Sequence, residues 1–500
     1  MRAWLRPALA GALGALQTLA YVHTGAWWLP LLTIGLLARL AAGATPRAAA
    51  LLGGAYGTAW VAAGTWWLFV SMHRYGGLPA WMAALAVLAL AAFLSLYLAA
   101  ALTAFARWRS GRPLADAGLF AALWLLAELA RGLLFTGFPW VASGYAQVDG
   151  PLAAWAPWIG VYGLGAVGAF AAALPALAWP LRGLRAALPG VVLPAALLLL
   201  PALAGVPEFT RPSGTLSLTL LQGNIPQEEK FAAEHQAEAL EWHLRELLAA
   251  EGDLVVAPET AIPFLPQQMP EGLWERLQDH FRAGRTAALI GVPLGDMEAG
   301  YTNSAVGFAP GVPGFYRYDK FHLVPFGEFI PFAFKWFTRM MNIPLGDFER
   351  GPLAAPSFEL RGERVAPNIC YEDLFGEELA ARFVDAAQAP TVLANLSNIG
   401  WFGETIAIPQ HLQISRLRTL ELQRPMLRAT NTGATVVIDH RSRVTAALAP
   451  HTRGVLKASV QGRTGNTPYA AWAGRLGLWP LVLLAALAVA LAAWRRRAGP

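Results

Sequence analysis

Long apolar stretches dominate the beginning of the chain and return at its end. Eight of them approach the length of about 20 apolar residues that a helix needs to cross a bilayer core. They lie at 7–22, 26–42, 49–72, 79–106, 117–136, 158–180, 186–205 and 474–494. The pattern predicts a multi-pass helical membrane domain of about seven helices at 1–206, and a last membrane helix with a basic tail at 474–500.

Residues 207–473 show a different pattern, in which short buried runs alternate with amphipathic segments. The runs predict strands at 215–222, 254–257, 287–292, 365–370, 391–395 and 434–439. The amphipathic segments predict helices at 228–250, 271–284, 372–387 and 411–424. Strands and helices that alternate at this spacing indicate a layered α/β domain, so we expect two kinds of domain in one chain.

Composition supports a membrane protein. The chain is 56% hydrophobic and 14% charged, whereas soluble domains carry about 25% charged residues. The net charge of +6 could indicate nucleic-acid binding. The arginines of the membrane domain lie in short loops between apolar spans, which membrane topology explains better. We therefore expect the lipid bilayer as a partner, and no nucleic acid.

The basic residues also predict an orientation. Arginines lie in or at the edge of every second loop and at both ends of the series of spans. They are Arg2, Arg6, Arg39, Arg47, Arg107, Arg109, Arg112, Arg182, Arg185, Arg495, Arg496 and Arg497. In the short alternate loops the only charged residues or histidines are His23, His73, Arg74 and Asp149. Because positively charged loops stay in the cytoplasm, both termini are expected there, with 207–473 outside. In a bacterium this means an inner-membrane protein with a periplasmic domain.

Glu128 and Arg131 are charged residues inside the predicted fifth span. Intramembrane charges indicate a functional site by default. A pair of opposite charges three residues apart on one helix can also satisfy itself. The sequence leaves both interpretations open.

Cys370 is the only cysteine of the chain, so it cannot form an internal disulfide. It ends a predicted strand and precedes a predicted helix. Backbone N–H groups and the helix dipole at such a turn are expected to lower the pKa of the thiol and to favour the nucleophilic thiolate. The alternative is an inert buried thiol, which is the usual state of a free cysteine.

Glu259 and Lys320 are the other two candidates. Glu259 follows a predicted strand, where sites of α/β domains collect, and its carboxylate could accept and return a proton. Lys320 could hold a developing oxyanion. Taken alone, either could be an ordinary surface charge. Together with Cys370 they suggest acyl transfer through a thioester. Motifs for a metal or a nucleotide are not found, so no metal and no cofactor are expected.

These motifs are similar to a known family. Residues 257–260, 319–331 and 368–372 resemble the Glu-Lys-Cys site of the nitrilase superfamily. The whole chain resembles the apolipoprotein N-acyltransferases, the membrane-bound branch of that superfamily. Further similar stretches are 222–227, 301–304, 397–398, 401–403 and 424–433.

The resemblance implies an αββα sandwich for the α/β domain and roles for the site residues. Glu259 would be the general base, Cys370 the nucleophile, and Lys320 the oxyanion stabiliser together with the backbone N–H of Tyr371. Two glutamates would support them: Glu328 would orient Lys320, and Glu372 would support the cysteine turn.

The resemblance also implies the substrates. A phospholipid would donate an acyl chain to Cys370, and the α-amine of a diacylglyceryl-cysteine at an apolipoprotein N-terminus would accept it. Residues 332–341 are aromatic and rich in methionine, as in an arm that enters the membrane interface, although a core helix is the alternative. Substrate contacts are expected from Phe231, Trp336, Phe337, Met340 and Trp401. We expect a monomer.

Two other functions stay possible at this point. A membrane-tethered amidase of the nitrilase type would pass the acyl group to water. A transporter or membrane scaffold would carry an inactive outer domain, but it would leave the three reactive residues unexplained.

Overall fold

A computed structural model describes residues 4–179, 184–227, 233–331 and 348–497. The chain divides into two compact units. The first comprises Met1–Phe69, Pro79–Pro207 and Leu476–Pro500. The second comprises Val70–Leu78 and Glu208–Arg475.

The first unit is helical. Its helices are α1 (Leu5–Leu16), α2 (Trp28–Ala41), α3 (Pro46–Thr65), α4 (Ala80–Trp108), α5 (Pro113–Leu133), α6 (Ala156–Ala178), α7 (Leu184–Ala204) and a last one at Trp479–Arg497. Proline is the first residue of both α3 and α5, a position at which its missing N–H costs nothing. Thr45 caps α3 by accepting a hydrogen bond from the N–H of Ala48.

Five helical segments of the described chain are long and apolar enough to cross a membrane. They are Thr24–Ala42, Ala80–Trp108, Pro113–Thr136, Pro151–Ala178 and Trp479–Arg497. A shorter apolar helix lies at Gly190–Ala204, and α1 has 12 residues, fewer than a bilayer core requires. Several spans are therefore established, and the full number of eight stays a prediction.

Glu128 and Arg131 lie buried inside the first unit. Their side chains form an ion pair of 3.3 Å. Glu128 also accepts hydrogen bonds from the backbone N–H and the hydroxyl of Ser143, at 2.7 and 2.8 Å. The guanidinium of Arg131 stacks on the ring of Trp60, 4.6 Å from its centre. These contacts favour the interpretation of a self-satisfying structural pair.

The second unit contains two six-stranded sheets. The strands are β1 (Arg211–Gln222), β2 (Leu254–Val256), β3 (Ala287–Asp296), β4 (Gly300–Phe308), β5 (Tyr316–Asp319), β6 (Phe358–Leu360), β7 (Glu363–Ile369), β8 (Val392–Ser397), β9 (Met426–Thr430), β10 (Val436–Ile438), β11 (Val444–Ala447) and β12 (Gly454–Thr464). The first sheet has the order β12-β1-β2-β3-β4-β5, and the second has the order β11-β10-β9-β8-β7-β6.

Each sheet has a parallel centre and antiparallel edges. Strands β1, β2 and β3 run parallel, as do β7, β8 and β9. The inner faces pack on each other through aliphatic residues such as Leu220, Leu289, Leu396 and Leu427. The carboxyl ends of the parallel strands in each sheet share one edge, which is where α/β domains place their sites.

Helices cover both outer faces. The helices α8 (Ala233–Leu248) and α9 (Leu273–Ala283) contribute to the core on the first sheet. The helices α10 (Gly376–Ala380), α11 (Ala407–Leu422) and α12 (Pro468–Leu476) contribute to the core on the second. The helix Trp479–Arg497 of the first unit is α13. The layers of the second unit form the predicted αββα sandwich.

The prediction of one continuous helix at 372–387 is wrong. The segment consists of the 3₁₀ turn Cys370–Leu374, the single-turn helix α10, and a second 3₁₀ turn at Ala381–Phe383. The side chain of Glu372 accepts a hydrogen bond from the N–H of Ile369, which favours a tight turn over a continuous helix. Six strands at sheet edges or with polar sequences were also not predicted: β4, β5, β6, β9, β11 and β12.

Candidate active site

Cys370 stands at the end of β7, in a strained backbone conformation. Its φ angle is 51°, a left-handed value that side chains other than glycine rarely adopt. The carboxylate of Glu372 closes the turn, because it accepts the N–H of Ile369 at 2.6 Å. Strain of this kind persists where neighbouring contacts fix the backbone, and it is frequent at active sites.

The same Glu372 carboxylate connects the cysteine turn to the segment around Lys320. It accepts the hydroxyl of Tyr318 at 2.8 Å, the N–H of Phe321 at 2.7 Å and the N–H of His322 at 3.2 Å. One buried carboxylate therefore sets the distance between the two motifs.

Lys320 directly follows β5 and is 1% exposed. Its ammonium nitrogen lies 2.9 Å from Glu328 and 3.7 Å from Glu259. Burial alone would favour the neutral amine, but the carboxylates of Glu328 and Glu259 outweigh it and raise the pKa of Lys320. The side chain is thus held as a cation.

Glu259 lies beyond the end of β2, and both of its carboxylate oxygens are hydrogen-bonded. Oε2 accepts the backbone N–H of Asn398 at 2.8 Å. Oε1 accepts the amide Nδ2 of Asn303 at 2.8 Å. The same Nδ2 donates to Glu328 at 2.7 Å, so Asn303 bridges the two carboxylates that flank Lys320.

The electrostatics of Cys370 contradict the expectation of an activated thiolate. Desolvation and the negative charge of Glu259 raise the pKa of Cys370 to about 12, although Lys320 and a hydrogen bond with Ser397 act in the opposite direction. The expected lowering of the thiol pKa by the turn is therefore wrong. At neutral pH the residue is a thiol, and it needs a base at the moment of attack.

Asn303 and Asn398 were missed as site residues from the sequence. Both lie in stretches that resemble the nitrilase superfamily, 301–304 and 397–398, and this was the available signal. A neutral amide has no acid–base chemistry of its own. Its importance here lies in placing hydrogen-bond donors on carboxylates.

Close packing also fixes the backbone of Glu259. Gly291 of β3 lies against it, and a Cβ added to Gly291 would stand 2.7 Å from the Cα of Glu259 and 2.6 Å from the backbone nitrogen of Thr260. The carbonyl of Gly291 accepts the N–H of Ile262 at 3.3 Å. The absence of a side chain at this position is what lets the two backbones approach.

The remaining predicted site residues are Tyr371 and the five expected substrate contacts. The ring of Tyr371 packs 5.3 Å from that of Phe375, and its backbone N–H as an oxyanion donor stays a prediction. Trp401 lies in the 3₁₀ turn Ile399–Phe402, which directly follows Asn398. Its ring meets that of Tyr75 edge-on at 5.7 Å. The remaining predicted contacts lie outside the described residues: Phe231, Trp336, Phe337 and Met340.

In the described ranges, no group of three or more His, Cys, Asp or Glu side chains is arranged to hold a metal ion.

Comparison with known proteins gives matches over both units. Residues 13–174 match the apolipoprotein N-acyltransferase N-terminal domain, and residues 217–469 match the carbon-nitrogen hydrolase family. An apolipoprotein N-acyltransferase from Verminephrobacter eiseniae is 54% identical over 95% of this chain and 94% of its own length. One from Ralstonia nicotianae is 48% identical over 98% of this chain and 94% of its own.

Among solved structures, a carbon-nitrogen hydrolase from Helicobacter pylori G27 covers 54% of this chain and 94% of its own, with 18% identity and a TM-score of 0.35. The assignment rests on the sequence relatives, which match nearly end to end. The chain belongs to the apolipoprotein N-acyltransferase family, whose catalytic domain is of the nitrilase type.

Proposed function

We propose that this protein transfers a fatty acyl chain from a phospholipid to the α-amino group of the diacylglyceryl-cysteine at the N-terminus of an apolipoprotein. Membership in the family supports this acyltransferase activity. The observation that carries the mechanism is the buried ion pair of Glu259 and Lys320, whose charges act on the half-buried Cys370.

The first step would form a thioester. As the sulfur of Cys370 attacks the ester carbonyl of the phospholipid, its proton passes to Glu259. The carbonyl oxygen becomes an oxyanion, which Lys320 and the backbone N–H of Tyr371 would stabilise. The C–O bond of the ester then breaks, and the lysophospholipid leaves with the proton returned by Glu259.

The second step would form the amide. The α-amine of the acceptor attacks the thioester carbonyl, and Glu259 removes a proton from the attacking nitrogen. The C–S bond breaks, the acyl chain is now an amide, and the sulfur of Cys370 recovers its proton. A thioester suits this exchange because it keeps the acyl group reactive while one lipid leaves and the other enters.

The raised pKa values support this division of roles. Lys320 is held as a cation by its two carboxylate neighbours, so it stabilises charge and does not remove protons. Cys370 is a thiol at rest, so it does not attack until a carbonyl is placed before it. The hydrogen bonds from Asn303 and Asn398 hold the Glu259 carboxylate in one position, which supports its role as the base.

The protein is a multi-pass membrane protein, and we infer its orientation from the arginines of its loops. Both termini would lie in the cytoplasm of a bacterium and the α/β domain in the periplasm, with the spans in the inner membrane. This orientation would place Cys370 in the compartment that exported apolipoproteins enter.

The proposed function is tested with two substrates. Detergent-purified protein is incubated with a phospholipid and a synthetic peptide that carries diacylglyceryl-cysteine at its N-terminus. We expect the peptide to gain one fatty acyl mass and the phospholipid to become lysophospholipid in equal amount. A peptide with an acetylated α-amine is the control and should stay unchanged. Free fatty acid with an unmodified peptide would instead indicate a hydrolase and refute transfer to the amine.

Replacing Gly291 with alanine is expected to lower this transfer by about a hundredfold, because a displacement of about 1 Å at a catalytic group has effects of that order. The new methyl group would push against the backbone of Glu259 and its two neighbours, since its three nearest atoms all belong to the backbone of Pro258, Glu259 and Thr260. Transfer rate and melting temperature in detergent measure the two consequences. Gly454→Ala on β12 is the matched control, since its Cβ would meet only atoms at 3.7 Å or more. Full activity of Gly291→Ala would show that the position of Glu259 is not critical.

A further inference from the structure

A second buried charge cluster lies beside the cysteine turn and takes no part in the steps above. Its centre is Asp373, which is in the same turn as Cys370 and is 0% exposed. The Asp373 carboxylate accepts Nε2 of His411 at 2.8 Å, the hydroxyl of Ser415 and a guanidinium nitrogen of Arg428 at 3.2 Å. All four side chains are buried.

The cluster joins elements that are far apart in the chain. His411 and Ser415 are one turn apart on α11, and Arg428 lies on β9, which β8 separates from β7. The Asp373 carboxylate therefore ties the cysteine turn to a helix and to a strand two positions away in the sheet.

The charges of the cluster are balanced within it. Burial opposes the ionised form of Asp373, but His411 and Arg428 outweigh burial and lower the pKa of its carboxyl. A buried ion pair of this kind contributes little to stability compared with apolar residues of the same volume. A gain in stability is therefore a poor explanation for building a salt bridge under this turn.

The strained backbone of Cys370 suggests what the cluster does. Cys370 holds a left-handed φ of 51°, a strained conformation that persists only where several contacts fix the backbone. Glu372 fixes the turn on the side of Lys320, and Asn395 donates to the carbonyl of Cys370 at 3.1 Å. The Asp373 cluster fixes the turn on the side of α11.

We propose that Asp373, held by His411, Ser415 and Arg428, is a positioning residue that keeps the Cys370 turn in its left-handed conformation and the sulfur beside Glu259 and Lys320. The proposal rests on Cys370 being the nucleophile of the proposed function. It adds a set of residues that contact no reacting atom and act through the backbone of Cys370.

The test separates positioning from stability with a charge-free pair. Asp373→Leu with Arg428→Met removes both charges and leaves neither buried alone, whereas Asp373→Asn leaves Arg428 without its counter-ion. Three quantities are measured in each variant: the melting temperature, the single-turnover rate of acylation by phospholipid, and the pH profile of Cys370 alkylation by iodoacetamide.

We expect the double variant to melt at a higher temperature than Asp373→Asn and yet to acylate about a hundredfold more slowly than the unmodified protein. Its alkylation at pH 8 should become faster, because a sulfur that moves away from Glu259 loses part of the charge that raises its pKa. A double variant with the original acylation rate and alkylation profile would overturn the proposal. If the double variant does not fold, Asp373→Asn decides by the same two readouts.

A matched control is available on α11. Arg418 and Glu421 form another fully buried ion pair, at 2.9 Å, and Arg418→Met with Glu421→Leu should change the melting temperature and leave the alkylation profile in place. An equal shift of that profile would show a general loosening and refute a specific role of Asp373. Alkylation requires no lipid, so it tests the turn even if the unmodified protein forms no acyl-enzyme, a result that would refute the proposed function alone.

Discussion

Cys370→Ala is expected to abolish formation of the acyl-enzyme and, with it, all acyl transfer. The unmodified protein, incubated with phospholipid alone, should gain one fatty acyl mass that hydroxylamine removes. The variant should gain none, because the chain has no other cysteine to form a thioester. Loss of a nucleophile lowers turnover by about a millionfold in comparable covalent enzymes, which is below detection here. Intact-protein mass spectrometry measures the adduct.

Cys370→Ser serves as the conservative control for this experiment. It keeps the size of the side chain and the turn, but a hydroxyl is a far weaker nucleophile than a thiol. We expect at most a trace of adduct, in an ester that hydroxylamine cleaves slowly. An adduct of normal size and rate in Cys370→Ala would place the acyl chain on another residue and refute the role of Cys370.

The parts of the fold that the sequence predicted are those in which burial alone determines the pattern. Strand β2 is buried along its whole length, so its residues form an apolar run that is visible without a structure. Strand β12 alternates between exposed and buried positions and carries Lys457 and Gln461. Such edge strands become evident only when the partner strand is known.

Strand β4 was missed for a different reason. It is buried but includes Thr302, Asn303 and Ser304, whose polar side chains find partners from other segments, such as Asp319 for Ser304 at 2.6 Å. Polar residues in a buried strand look like a loop until their partners are placed. Strand β4, which carries the bridging Asn303, was therefore not predicted, because the polar side chains that serve the site also make its sequence resemble a loop.

The three reactive residues could be identified from the sequence because each ends an apolar run or stands in a compact motif. The protonation state of Cys370 could not be predicted from the sequence. A turn at a helix start favours the thiolate, but desolvation and the charge of Glu259 act in the opposite direction and outweigh it. Those two influences come from segments distant in the chain, so the sign of the pKa shift requires the folded structure.

Glu259→Gln is expected to have opposite effects on two reactions of the same sulfur. Acyl transfer should fall by about a hundredfold to ten-thousandfold, the usual contribution of a general base. Alkylation of the resting thiol should become faster. Because the negative charge of Glu259 raises the pKa of Cys370, its removal lowers that pKa and increases the thiolate fraction at every pH below it.

The measurement is the rate of iodoacetamide alkylation between pH 7 and 10. In the unmodified protein the rate should rise about tenfold per pH unit without a plateau, since the thiol stays protonated over this range. In Glu259→Gln we expect rates about tenfold higher at each pH, which corresponds to a pKa lower by about one unit. Glu359→Gln, on the exposed side of β6, removes the same charge away from the site and should change neither reaction.

The two readouts together separate the roles of Glu259. Slower alkylation in Glu259→Gln would mean that Glu259 deprotonates the thiol before substrate arrives, and the resting state would then be a thiolate. Faster alkylation with slow transfer means that the charge of Glu259 destabilises the thiolate in the empty site. The sulfur then loses its proton only as it attacks an ester carbonyl that Lys320 polarises. In that case the same carboxylate that keeps Cys370 unreactive in the empty site becomes its base in the occupied one, which protects the only thiol of the chain between turnovers.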